Sequence, residues 1–175
     1  ITRNKNFSVS ISHTTRSPRP NEKNGKDYFF TSKKNFKKLI KNKKFLEHAK
    51  VFDNYYGSSK DFVYKKLKKG NNIVFDIDWQ GTRQIRNKNL NFSLLTIFIL
   101  PPSKSELKKR LIKRGTDNKK EIKLRLSYAI NEMKHYKEYK YVLINENVQK
   151  TVSEIIKIIE FNDLIKKHQD ILNLK

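Results

Sequence analysis

The chain has 175 residues, 36% of them hydrophobic and 11% aromatic, which suffices for one core and argues against a wholly disordered chain. It has no cysteine, so disulfides, thiolate metal sites and a cysteine nucleophile are excluded, and no apolar run approaches the roughly 20 residues that cross a bilayer. Forty Lys and Arg against 17 Asp and Glu give a net charge of +23, which points toward polyanionic partners; the excess is mostly Lys scattered beside Asn and Ile, as AT-rich coding produces, whereas the arginines are few and localised.

In chain order, Phe7 to Ser12 alternates and predicts a strand. The texture to about Lys69 is mixed, with aromatic Tyr28 to Phe30 and short pieces from Phe45 to Tyr56 around a turn at Asp53 and Asn54. The stretches Lys33 to Lys44 and Lys65 to Lys69 read as solvated helix faces. From Asn72 onward, apolar runs at Ile73 to Ile77, Leu94 to Leu100 and Tyr141 to Ile144 predict buried strands. Helical patterns lie between and after them: Leu107 with Leu111; Ile122, Leu126, Ile130 and Met133; Val152, Ile155, Ile156 and Ile159. Ser103 with Glu106, and Asn118 with Glu121, have capping-box spacing. The alternation predicts a three-layer α/β core with parallel strands and a small mixed insertion. Ligands of such cores sit at the carboxyl ends of the strands.

Two features carry chemistry. Arg16 and Arg19, held by Pro18 and Pro20 in an extended segment after the first strand, make a rigid pair of guanidinium forks suited to a phosphate. Asp76 and Asp78, two apart at the end of a predicted strand, share a face where an α/β sheet opens to ligand. His13, His48, His135 and His168 lack metal-ligand spacing, and His48 reads as packing beside Glu47.

Eight blocks in order then resemble guanylate kinases: Ser8 to Pro20, Asp27 to Phe30, Phe45 to Ala49, Asn54 to Ser58, Asp76 to Gly81, Ile99 to Ser103, Arg110 to Asp117 and Tyr141 to Asn145. The resemblance spans Phe7 to about Ile159. It implies a P-loop NTPase-like core (1–11 and 71–175), a lid at about 114–127, and a GMP-binding subdomain at 12–70. It implies transfer of the γ-phosphoryl of ATP, with Mg2+, to GMP or dGMP, in the cytoplasm, without a membrane or specific nucleic acid. Ser12, Arg16, Arg19, Glu22, Tyr28 and Tyr56 match positions around the GMP phosphate; Glu47, Ser58 and Asp78 match those around guanine. Ionised carboxylates suit the N1–H and 2-amino donors, and a hydroxyl suits O6, so adenine would leave the carboxylates unpaired. Arg110, Arg114 and Arg125, with Arg19, match the catalytic cations; Arg114 and Asn145 match ATP-binding positions, and Asp76 a water-mediated metal position.

One family motif is absent. Gly25, Gly57, Gly70, Gly81 and Gly115 are the only glycines, and none has the spacing of the phosphate-cradling Gly-x-x-x-x-Gly-Lys-Ser/Thr. Residue 1 is Ile, and the expectation is that the motif belongs to upstream residues, leaving the 175-residue chain a weak ATP binder, inactive by itself and of marginal stability. Two alternatives follow from other classes: a non-catalytic module that binds a phosphorylated protein segment, favoured by the absent motif, and a basic nucleic-acid binder, resting on charge alone.

Overall fold

The alternating run at the start of the chain forms two strands in two sheets. β1 (Phe7–Val9) and β2 (Ser12–Thr14) are separated at Ser10, whose N–H donates to the Val74 carbonyl at 2.9 Å. The computed structural model describes residues 6–88, 90–113, 115 and 118–172. It divides into two units, Ile1–Phe92 and Ser93–Lys175.

In the first unit, β1 pairs in parallel with β6 (Asn72–Val74). The other sheet has the order β3-β2-β5-β4, with β3 (Phe29–Phe30) parallel to β2, and β5 (Asn54–Ser59) antiparallel to both β2 and β4 (Phe45–Val51). The β4–β5 hairpin turns on Phe52 and Asp53, both left-handed at φ 49° and 64°. This is the paired positive-φ geometry that matches strand twist, so the turn lies one residue earlier than predicted and Asn54 opens β5. Helix α1 (Lys33–Lys41) is capped by the Ser32 hydroxyl and buries Phe36 completely. Phe36 stacks on Phe45 and Tyr55, ring centroids 4.6 and 5.5 Å away, and burying such a ring contributes roughly 1.5–3 kcal/mol. A Cβ at Gly57 would lie 3.1 Å from both the Phe36 and Phe45 rings, so a side chain there would require these rings to give by a few tenths of an ångström.

Helix α2 (Lys60–Leu67) starts at the Ser59 cap, and α3 (Trp79–Arg86) at the Asp78 cap. Leu46, Val63 and Ile85 form the buried centre between these helices and β4, with Ile73, Phe75 and Ile77 packed against it. The lysine-rich stretches lie on α1 and α2 as solvated faces.

The second unit carries β7 (Ile97–Leu100) and β8 (Tyr141–Ile144), paired in parallel from Ile97↔Tyr141 to Leu100↔Ile144. Helix α4 (Lys104–Lys113) starts with the Glu106 N–H donating to the Ser103 hydroxyl at 3.0 Å, while the Glu106 carboxylate accepts from Arg110. Helix α5 (Lys119–Met133) has both halves of the predicted capping box between Asn118 and Glu121, and α6 (Val148–Leu172) extends well beyond the predicted periodic run. The strands β6 and β7 are shorter than their apolar runs, which continue as irregular backbone. Among the described residues no helix is long and apolar enough to cross a membrane.

Candidate functional site

Arg16 lies two residues past β2, and its backbone is set by that sheet. Its N–H donates to the buried Thr14 hydroxyl at 3.2 Å, and Thr15 is tied to Tyr55 through both its own N–H and its hydroxyl. The Arg16 Nη2 donates to both Glu22 oxygens, at 2.7 and 2.9 Å. The Arg19 N–H donates to Glu22 Oε2 at 2.7 Å, and Arg19 Nη1 is 3.6 Å from Oε1. Glu22 therefore organises both arginines from its own carboxylate. Hydrogen bonds from Arg16 hold it below the ordinary carboxyl range against the effect of burial. The sequence groups Glu22 with the phosphate ligands; its charge suits it to orienting cations and not to meeting an anion directly.

A closed loop brings an aromatic wall to this clamp. The Gly25 N–H donates to the Tyr28 carbonyl at 2.8 Å with Gly25 left-handed at φ 77°, and Asn24 Oδ1 accepts from the Phe30 N–H at 2.9 Å. The Arg16 guanidinium then lies 5.4 Å from the Tyr28 ring centroid, and Tyr28 meets Tyr56 edge-on at 6.1 Å. Burial, reinforced by the Asp76 charge, raises the Tyr28 phenol, so it stays a neutral hydrogen-bond donor.

The second half of the site is built on a β-bulge. The pairing of β4 with β5 shifts between Phe45 and Glu47, which sets Glu47 opposite Ser58. Glu47 is 3% exposed, and its Oε1 accepts from the Ser58 hydroxyl at 2.6 Å. Burial pushes its carboxyl up to about 7, the Asp78 charge adds to the rise, and the Ser58 hydrogen bond opposes it. Ser12, also buried, is the cross-strand neighbour of Ser58 on β2. The Ser58 hydroxyl donates its one hydrogen bond to Glu47; an N–H donor arriving at the carboxylate would take that place and free the hydroxyl.

Asp78 corrects the reading from spacing. The strand β6 ends at Val74, so Asp76 and Asp78 do not share a strand face. Asp78 is the N-cap of α3: Oδ1 accepts from the Gly81 N–H at 3.0 Å and Oδ2 from Gln80 at 2.8 Å. Asp76 is exposed in the segment before it. Among the described residues no three His, Asp or Glu gather as a metal site.

Sequence reasoning missed what fastens α3 to the sheet. β4 is an edge strand, and Gln84 pairs with its outer side, accepting from the His48 N–H at 3.1 Å and donating to the His48 carbonyl at 2.7 Å. Lys88 donates to the Leu46 carbonyl. The side-chain amide thus does what a neighbouring strand would do. The available signal was the three-residue spacing of Gly81 and Gln84, which puts them on one helix face.

In the second unit, Arg110 donates to Glu106 at 2.8 Å and to the Asn145 carbonyl at 2.9 Å. Asn145 ties β8 to β7 through its N–H and the Leu100 carbonyl at 2.7 Å, and its side-chain oxygen accepts from Thr151. Arg125 lies on α5, and Arg114 lies outside the described residues.

The first unit of this α/β fold carries both an arginine clamp and a buried carboxylate, groups whose chemistry suits a small molecule with an anionic end and N–H donors. The family model of guanylate kinase matches residues 2–162. The guanylate kinase of Buchnera aphidicola subsp. Baizongia pistaciae is 52% identical over 161 residues, covering 92% of this chain and 77% of that one. That of Haemophilus influenzae strain 86-028NP is 49% identical over 162 residues, with the same shares. The crystal structure of guanylate kinase from Anaplasma phagocytophilum superposes with a TM-score of 0.77 at 34% identity, over 90% of this chain and 77% of the other. The chain belongs to the guanylate kinase family.

Proposed function

We infer that the first unit takes GMP or dGMP as phosphoryl acceptor and that the reaction is transfer from ATP, giving ADP and GDP. The observation that carries this reading is the buried Glu47 carboxylate, held between Ser58 and the α3 cap on the same unit as the Arg16–Glu22–Arg19 clamp. Arg16 and Arg19 would hold the acceptor phosphate, with Ser12, Tyr28 and Tyr56 around it and Glu22 aiming the guanidinium groups. Glu47 and Asp78 would accept the N1–H and 2-amino protons, and Ser58 would turn to O6. Glu47 must be ionised to accept both donors, so binding a base there favours loss of its proton.

In the transfer, an oxygen of the GMP phosphate attacks the γ-phosphorus as the bond to the β–γ bridging oxygen breaks, and ADP leaves. Charge spreads over the equatorial oxygens, which calls for cations. Arg19, Arg110, Arg114 and Arg125 are proposed for that role, and Asn145 for ATP binding. The division into core 1–11 and 71–175, GMP subdomain 12–70 and lid 114–127 belongs to the same proposal. A divalent cation such as Mg2+ neutralises ATP phosphates when bound. Asp76, exposed in the segment before α3, is proposed for a water-mediated contact to that cation.

Calorimetry tests the acceptor site directly. GMP should bind, AMP should bind only weakly through its phosphate, and Glu47→Ala should reduce GMP binding to that level while leaving the fold intact by circular dichroism. A folded chain that binds neither nucleotide, or both alike, overturns the assignment.

A further inference from the structure

We propose that Gly81 is a positioning residue of the base pocket: the side chain it lacks leaves the space in which the Glu47 carboxylate lies, and so decides where that carboxylate meets the base. The inference rests on the reading of Glu47 as the guanine-binding group.

A Cβ at Gly81 would stand 2.5 Å from Glu47 Oε2, 3.1 Å from its Cδ and 3.3 Å from Ile77 Cβ. Gly81 is buried in the first turn of α3 with no left-handed backbone, so the conformation itself does not call for glycine. Helix propensity alone would favour alanine there. The helix has no freedom to retreat from the sheet. Its N-terminus is capped by Asp78, Gln84 bonds the helix to both His48 backbone groups of β4, and Lys88, just past the C-cap, donates to the Leu46 carbonyl. What gives way is therefore the end of the Glu47 side chain. Turning it withdraws Oε1 from the Ser58 hydroxyl, which now holds it at 2.6 Å. Gly81 and Ser58 thus bound the carboxylate from two sides, one by leaving room and one by donating a hydrogen bond.

The test uses the full chain with GMP and AMP in calorimetry, together with thermal melting. Gly81→Ala is expected to weaken GMP binding by about tenfold or more, while leaving the weak, phosphate-only affinity for AMP unchanged. A general loss of structure would lower both. Wild-type affinity for GMP should rise with pH through about 7, where Glu47 ionises, and this dependence should flatten in Gly81→Ala as the carboxylate turns out of its buried place. The melting temperature of Glu47→Ala/Gly81→Ala should be at or above that of Glu47→Ala, because the collision is gone and alanine favours the helix. This comparison holds even if Gly81→Ala alone does not fold. Unchanged GMP affinity in a folded Gly81→Ala, or a double variant less stable than Glu47→Ala, overturns the positioning role. Tight GMP binding that survives Glu47→Gln instead overturns the guanine reading, and the proposal with it.

Discussion

At the scale of single residues, Glu47 and Glu22, two carboxylates of the proposed acceptor site, have opposite relations to pH. Glu47 has its folded value raised to about 7 from 4.5, so the ionised form is the costly one. The fold is unburdened below the unfolded value, loses stability as pH rises from 4.5 to 7, and carries a cost of roughly 3 kcal/mol above that. Glu47→Gln, which keeps an oxygen for Ser58, should therefore melt at a higher temperature than wild type at pH 8 and at the same temperature near pH 4.5. A constant difference across that range would show that charge burial is not the cause. Glu22 has its folded value lowered, so its contribution is present above the ordinary carboxyl range and lost as pH falls through the folded value. Glu22→Gln should cost about 1 kcal/mol at pH 7 by denaturant titration, with the deficit closing in acid. It should also weaken GMP binding by freeing both arginines to sample other directions.

At the scale of elements, the informative piece is α3. Its register along β4 is held by side chains meeting backbone, with Gln84 satisfying both the donor and the acceptor of His48. Gln84→Ala should leave those groups unpaired at a half-buried edge, costing about 1–3 kcal/mol. Amide exchange at His48 should quicken selectively, whereas unchanged protection there would show that the glutamine adds nothing. The same element explains why spacing misled at Asp76 and Asp78. A period of two predicts a shared face only while the chain remains a strand, and here the strand stops at Val74 and a helix begins at Trp79. Capping turned out to be the structural duty of Asp78. The Asn118–Glu121 box, by contrast, is a purely local exchange of hydrogen bonds, and it forms as its spacing predicts.

At the scale of the whole molecule, the net charge of +23 is carried largely by lysines on solvated faces, and it says more about solubility and coding than about a partner. The strand–helix alternation was enough to reach the α/β class, because it is encoded by residue type and local period, and the resemblance of eight ordered blocks pointed to the guanylate kinase family that the family model matches. The Arg16–Arg19 pair was legible because its spacing lies within a few residues of chain, whereas the part Glu22 plays in aiming both guanidinium groups emerged only in the fold. What only the tertiary structure decided is what joins distant segments. The run from Phe7 to Ser12 parts into two sheets because its halves find different partners, β6 and β5. Glu47 becomes a buried acid near pH 7 because a bulge turns it toward Ser58, eleven residues away, and α3 closes over it. Burial and its electrostatic cost depend on which surfaces meet, and that is a property of the packed chain and not of any window of its sequence.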